Sequence, residues 1–250
     1  MIAFFELFFR KFWHLVKLNM LFLVFNLPAV AVIPFISQFF LPGLKNGNPL
    51  GNFYEMVLYF AVGAILVCIP VVTIGPAQAG FTYILRNFAR DEHAFLWEDF
   101  KEHALSNAKQ SIIICLIDLV VVLVIGIDIN FYLRISRENK FLTAITFLII
   151  ILFLLYLMMH MYIYPMLVTF RLSVKQIYKN ALLFSLIKFF PNLGVLILCI
   201  ILTVFPMLLF PAVGVVLLFF VTMSAIGLIT NFHVYPILKK YMMDKLPDMG

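Results

Sequence analysis

Apolar residues fall into six long runs, roughly Leu18 to Phe40, Phe53 to Leu85, Ser111 to Leu133, Phe141 to Phe170, Asn192 to Phe210 and Val213 to Leu238. Each is close to the ~20 residues that a helix needs to cross the hydrocarbon of a bilayer. No charge separates the last two runs. Still, Asn192 to Leu238 is 47 residues, roughly 70 Å as a single helix, so two crossings with a tight turn near Pro206 to Gly214 are expected. Polar positions gather in three amphipathic stretches, Phe4 to Lys17, His93 to Gln110 and Leu172 to Phe190. In the second, Trp97, Phe100, Ala104, Leu105 and Ala108 share one helical face, while Glu98, Asp99, Lys101, Glu102 and Lys109 fall largely elsewhere. Such a helix lies in the membrane interface rather than across it. In the third, Ile177, Leu182, Leu183, Leu186, Phe189 and Phe190 alternate less cleanly with Lys175, Lys179 and Lys188. Deeper burial and continuity with the fifth crossing are both open there. The pattern predicts an all-α, polytopic membrane helix bundle of six crossings with interfacial helices.

Composition agrees. The 250-residue chain is 64% hydrophobic and 12% charged, with a mean hydropathy of +1.09, too little polar surface to cover a water-soluble globule. The lipid bilayer is therefore its expected main solvent. A net charge of +6 does not point to nucleic acid, because the basic residues flank apolar runs and so fit anionic lipid headgroups. Arg10, Lys11, Lys17, Arg86, Arg90, Lys101, Lys109, Arg171, Lys175, Lys179, Lys188, Lys239, Lys240 and Lys245 fall on one side, and Lys45, Arg134, Arg137 and Lys140 on the other. By this asymmetry both termini are expected in the cytoplasm. The opening stretch, basic before an apolar run too long for a signal peptide, reads as a retained anchor.

One integral membrane domain spans 1-250. Within it, Gly75-Pro76, Tyr164-Pro165 and Tyr235-Pro236 each close an even-numbered crossing, which suggests units 1-85, 86-171 and 172-250. The simpler account is that any six-pass chain alternates in this way.

Thr73 to Gly80 (TIGPAQAG), Tyr83 to Arg90 (YILRNFAR), Trp97-Glu98-Asp99-Phe100 and Asn26-Leu27-Pro28 together resemble the YesL-like family of bacterial integral membrane proteins, a domain of unknown function. The resemblance runs from near residue 10 to near residue 200. It implies a multi-pass protein of the bacterial cell membrane. It also implies an association with carbohydrate use, since such proteins often neighbour genes for sugar-uptake transporters. No catalytic or binding residues come with it.

Ionisable groups in hydrocarbon cost a few kcal/mol, so Asp118, between Ile117 and Leu119, needs a reason. Asn26, Gln78, His160, Asn231 and His233 lie at comparable depth. Two readings stand side by side. One is a polar cavity open toward the cytoplasm, centred on Asp118 with His160 or His233 as a titrating partner. The other is an interhelical hydrogen-bond cluster that holds the bundle together. Gly75-Pro76 likewise reads either as a helix break that binds a ligand or as a kink letting a neighbour approach closely. Cys68, Cys115 and Cys199 lie in apolar runs without ligand spacing, so neither metal nor cofactor is expected. No nucleophile pattern is present, and a non-enzymatic role is expected. The primary expectation is an accessory partner of a carbohydrate uptake system that docks a sugar transporter subunit through Arg86, Arg90, Trp97, Asp99 and Phe100. The alternative is a small-molecule or ion transporter that uses the Asp118 cavity.

Overall fold

The computed structural model describes residues 2–36, 53–135 and 140–244. Among them the regular structure is all helical: α1 (Ile2–Phe35), α2 (Phe53–Ala89), α3 (Leu96–Ser106), α4 (Ala108–Ile135), α5 (Lys140–Leu167), α6 (Val174–Ile187), α7 (Phe189–Leu209), α8 (Pro211–Leu217) and α9 (Met223–Leu238). A π-helical turn at Leu218–Thr222 joins α8 to α9, and a second, Lys239–Met243, follows α9. Six spans are long and apolar enough to cross a membrane: Phe4–Val32, Ala61–Ala89, Ala108–Leu133, Lys140–Leu167, Phe189–Leu209 and Pro211–Met243. By helix length and hydropathy this is a multi-pass membrane protein. Of the basic residues behind the expected orientation, Lys45, Arg137 and Lys245 lie outside the described residues, as does the end of the first apolar run at Phe40.

Three boundaries that the sequence raised take a definite form. The stretch Phe4 to Lys17 is not a separate interfacial helix, because nothing between it and the first apolar run breaks a helix. Leu7, Leu15, Leu18, Asn26 and Ala29 are all buried along a single continuous α1. At the second boundary, α6 is not continuous with the fifth crossing: Lys188 leaves helical geometry at φ −111° and ψ 36°. The face of α6 that packs inward is Ile177, Ala181, Phe184 and Ser185, while Leu182, Leu183 and Leu186 are exposed. In lipid a leucine gains nothing by turning inward. Third, α2 is helical through both Pro70 and Pro76, so no break occurs at Gly75-Pro76. Thr73 Oγ1 donates to the carbonyls of Ile69 (3.0 Å) and Pro70 (3.3 Å), which lie in the stretch where the prolines remove backbone donors. The turn between the last two crossings falls where expected: the helix stops at Phe210, and Gly214 packs on the backbone of Met207.

The start of α1, the end of α2, the α5–α6 turn and the end of α9 meet at one end of the bundle, called here the basic end. Arg10 pairs with Asp91 there, though both side chains are so exposed that the pair contributes little. Buried residues concentrate in this half. They fill one cluster around Leu15, Leu18, Phe81, Ile84, Phe88, Phe100 and Leu228, and another around Tyr162, Ile163, Met166, Ile177, Phe184 and Val234. On α9 the buried positions Ser224, Leu228, Asn231, Val234 and Leu238 repeat every three to four residues, one helical face.

α2 lies against α1, α3, α4, α5 and α9, and two glycines set how closely. A Cβ on Gly75 would stand 2.6 Å from the backbone oxygen of Ser111 in α4, and one on Gly80 would overlap the backbone oxygen of Phe100 in α3. Asn19 of α1 holds the π-helical turn in register: its Nδ2 donates to the carbonyls of Leu218 (3.0 Å) and Phe219 (2.6 Å), and its Oδ1 accepts from the Ser224 amide (2.9 Å). These are the backbone groups that a change of helical period leaves unpaired.

Gly80→Ala and Gly75→Ala are expected to destabilise the fold, each by about 1–3 kcal/mol, since the neighbour that must move is backbone. Gly126 and Gly194 have nothing within 4 Å of an added Cβ, so alanine there should leave stability equal or slightly higher. Thermal unfolding of the four variants in one detergent separates the two classes.

Candidate functional site

The close seat of α4 on α2 at Gly75 turns Ser111 and Ile114 inward, both fully buried. Asp118 follows on the same face at i+7 and meets α5 and α6 there. Its Oδ1 accepts three hydrogen bonds: a very short one from Tyr156 Oη, one from His160 Nε2 (2.9 Å) and one from Tyr178 Oη (3.0 Å). With Asp118 as a carboxylate, which only accepts, His160 Nε2–H is the donor of its pair. Tyr178 belongs to α6, outside the spans. Burial first, and then the negative charge of Asp118, push its phenol far above the ordinary range, so it is a permanent donor. Among the described residues no hydrogen bond uses Asp118 Oδ2.

Asp118 and His160 border a cavity of about 970 Å³ between α1, α2, α4, α5, α7 and α9. Its polar residues are Gln78, Thr82, Asp118, His160, Tyr164, Thr230 and Asn231; its apolar wall includes Phe22, Val67, Leu119, Leu123, Leu157, Leu196 and Met223.

Four residues expected at the site, Asp118, His160, Gln78 and Asn231, line the cavity, and two do not. Asn26 is buried along α1 with its Nδ2 on the Phe22 carbonyl (2.7 Å) and its Oδ1 without a partner among the described residues. His233 belongs to another cluster, in which Asn192 Oδ1 accepts from Tyr162 Oη (2.6 Å) and from His233 Nε2 (2.8 Å). Tyr156 and Tyr178 were not anticipated. A signal for the first existed, because Tyr156, His160 and Tyr164 recur every four residues along one face of α5. Tyr178 carried none, being one aromatic residue on an interfacial helix.

Of the residues expected to dock a partner, Phe100 is buried, Arg86, Arg90 and Asp99 are half-buried and Trp97 is exposed. Arg86 donates to the Val168 carbonyl (2.8 Å) and to Thr169 Oγ1 (3.3 Å) and stacks on Tyr83, 4.5 Å from its centroid. Arg90 lies over Tyr235 with its side chain 17% exposed, and Phe100 is wholly buried. Asp99 accepts from the Phe95 amide (2.8 Å) at the start of α3. Only Trp97, 54% exposed, stands largely clear.

Residues 15–129 match a family model described as protein of unknown function, DUF624. Over that span the chain is similar to DUF624. No curated protein and no solved structure matches it. The DUF624 match takes in α1 from Leu15, all of α2 and α3, and α4 through Asp118. It contains the segments that carry the sequence resemblance. It stops at 129, so Tyr156, His160 and Tyr178, which complete the Asp118 cluster, lie beyond the DUF624 region.

His103 of α3 stacks on Tyr83, opposite in kind to Arg86. Burial lowers its proton affinity; nearby Glu102 opposes this, Arg86 adds to it and Asp99 opposes it. The folded state thus holds this proton more weakly than the unfolded chain, whose histidine titrates near 6.5. Stability is expected to be unaffected by His103 above that value and to fall as pH drops below it. Unfolding temperatures at about pH 7.5 and about pH 5 check this, with His103→Gln showing the smaller drop.

Proposed function

We propose that this protein is a membrane carrier that binds a small molecule in the intramembrane cavity centred on Asp118. The reading is non-enzymatic. A single observation carries it: a carboxylate at membrane depth, fixed by three donors from two helices, borders a cavity of about 970 Å³. That volume lies within the range of small-molecule sites, and a purely structural cluster has no need of the space beside it. An ionisable group inside a bundle that faces a cavity marks a substrate or ion path.

Proteoliposome flux tests the proposal. The wild-type chain should move a solute that an empty-liposome control does not, and Asp118→Asn should slow it by about tenfold or more, as loss of a charged partner in a low-dielectric site does. Equal, background flux of sugars, protons and cations for both proteins would defeat it.

A second reading keeps one surface feature. Trp97 is exposed beside Glu98 on α3, and the family resemblance suggests an accessory role toward a sugar-uptake transporter. On this reading Trp97→Ala loses a co-purifying transporter subunit from native membranes while its unfolding temperature is unchanged. Phe100→Ala instead destabilises by about 3–5 kcal/mol, the cost of emptying a buried aromatic site. A protein that purifies alone from native membranes, with and without Trp97, rejects docking.

A further inference from the structure

Resting on the carrier reading, we infer that the cavity takes an amphiphile with a cationic head, its ammonium group on Asp118 and its chain along the apolar wall, and that a proton on His160 competes with it. The wall decides the body of the ligand. Phe22, Val67, Leu123, Leu196 and Met223 offer no hydrogen bonds, so a free sugar, with a hydroxyl on almost every carbon, would leave most of its polar groups unpaired at several kcal/mol in total. An alkyl chain loses nothing there.

Charge decides the head. Among the described residues that line the cavity there is neither lysine nor arginine, and Asp118 is the one carboxylate. Tyr156, Tyr178 and His160 satisfy its Oδ1 as dipoles, which leaves a full negative charge without a counter-ion and Oδ2 without a described donor. A charge at that depth is costly until it is paired. Two things can pair it: a cation from the cavity, or a proton taken up by His160, which converts the contact at 2.9 Å into an ion pair. Both occupy the same charge, so one displaces the other. The titratable groups facing the site are few. α4 adds Cys115, α5 adds Tyr156 and Tyr164, α6 adds Tyr178 and α7 adds Cys199; the residues lining from α1, α2 and α9 do not titrate. None of these supplies a second charge near neutral pH. An anionic amphiphile would face Asp118 with no cation in reach.

The test is saturable binding of radiolabelled dodecylammonium to the full chain in lipid nanodiscs, with empty nanodiscs subtracted. Dodecanol, dodecyl sulfate and maltose serve as comparison probes. Dodecylammonium should bind saturably, and Asp118→Asn should weaken it on the order of tenfold or more. Affinity should be lower at about pH 5 than at about pH 8, because acid favours a proton over the cationic head while the alkylammonium itself does not change. His160→Gln should flatten that dependence. Leu123→Trp, which fills the wall and leaves the Asp118 cluster untouched, should block binding even where Asp118→Asn proves unstable. If dodecanol binds as tightly as the ammonium, or if dodecyl sulfate does, the cationic assignment is overturned. If only maltose binds, and Leu123→Trp abolishes it, the amphiphile inference fails while the carrier reading stands. Absence of saturable binding by any of the four overturns the inference, and the flux measurement then judges the carrier reading by itself.

Discussion

Backbone touches backbone at two places on α2, and the rest of the bundle is arranged by them. Inside a bilayer, helices are not driven together by exclusion of water, because lipid tails are as apolar as leucine side chains. What remains is close packing and hydrogen bonding, and both need small residues where helices cross. Gly75 lets Ser111 of α4 approach α2, and Gly80 lets Phe100 of α3 approach it from another side. The glycine-proline segment is thereby explained as a seat for two neighbours. Continuous helix through Pro76 removes the need for a ligand at a broken end.

The same seat determines the chemistry. With Ser111 fixed, the helical repeat places Asp118 two turns deeper on the inward face. Three donors from α5 and α6 reach it there rather than lipid. A cluster serving only to pin helices together could be packed around with apolar side chains. This one borders open volume whose wall is mostly hydrocarbon, with few polar side chains beside Asp118 and His160 in its lining. Asymmetry of that kind suits a molecule with two unlike ends.

Much of the scaffold was legible in the sequence because bilayer thickness imposes a length that apolar runs must meet. The six crossings, the short helix around Trp97 to Ala104 and the turn at Phe210 follow from that length and from 3.6-residue periodicity. Asp118 and His160 were visible as costly residues in hydrocarbon. Which polar residue finds which partner was not visible, since this depends on helix rotation. Asn26 and His233 lie at suitable depth yet face elsewhere, and Tyr178 reaches Asp118 from an interfacial helix that depth alone would have excluded. Charge misled in the other direction. Arg86 and Arg90 read as surface residues from composition, but a guanidinium stacked on an aromatic ring can bury its stem and most of its head.

Burial of Arg86 bears on the cavity as well. α5 ends at Leu167, and the carbonyls just beyond a helix end have no partner of their own. Arg86 of α2 satisfies the one at Val168 (2.8 Å), and Gln110 of α4 satisfies the one at Leu172 (3.0 Å). An irregular turn can sit against the bundle because its backbone groups are answered from both neighbours. That turn leads straight into Ser173, whose side chain and that of Gln176 form a reciprocal cap that starts α6. Two residues further on, Tyr178 reaches Asp118. Arg86 thus helps hold the turn that precedes the helix delivering one of the three donors. Placement of the acidic centre therefore depends on polar contacts made at the membrane surface as much as on the packing of the crossings themselves.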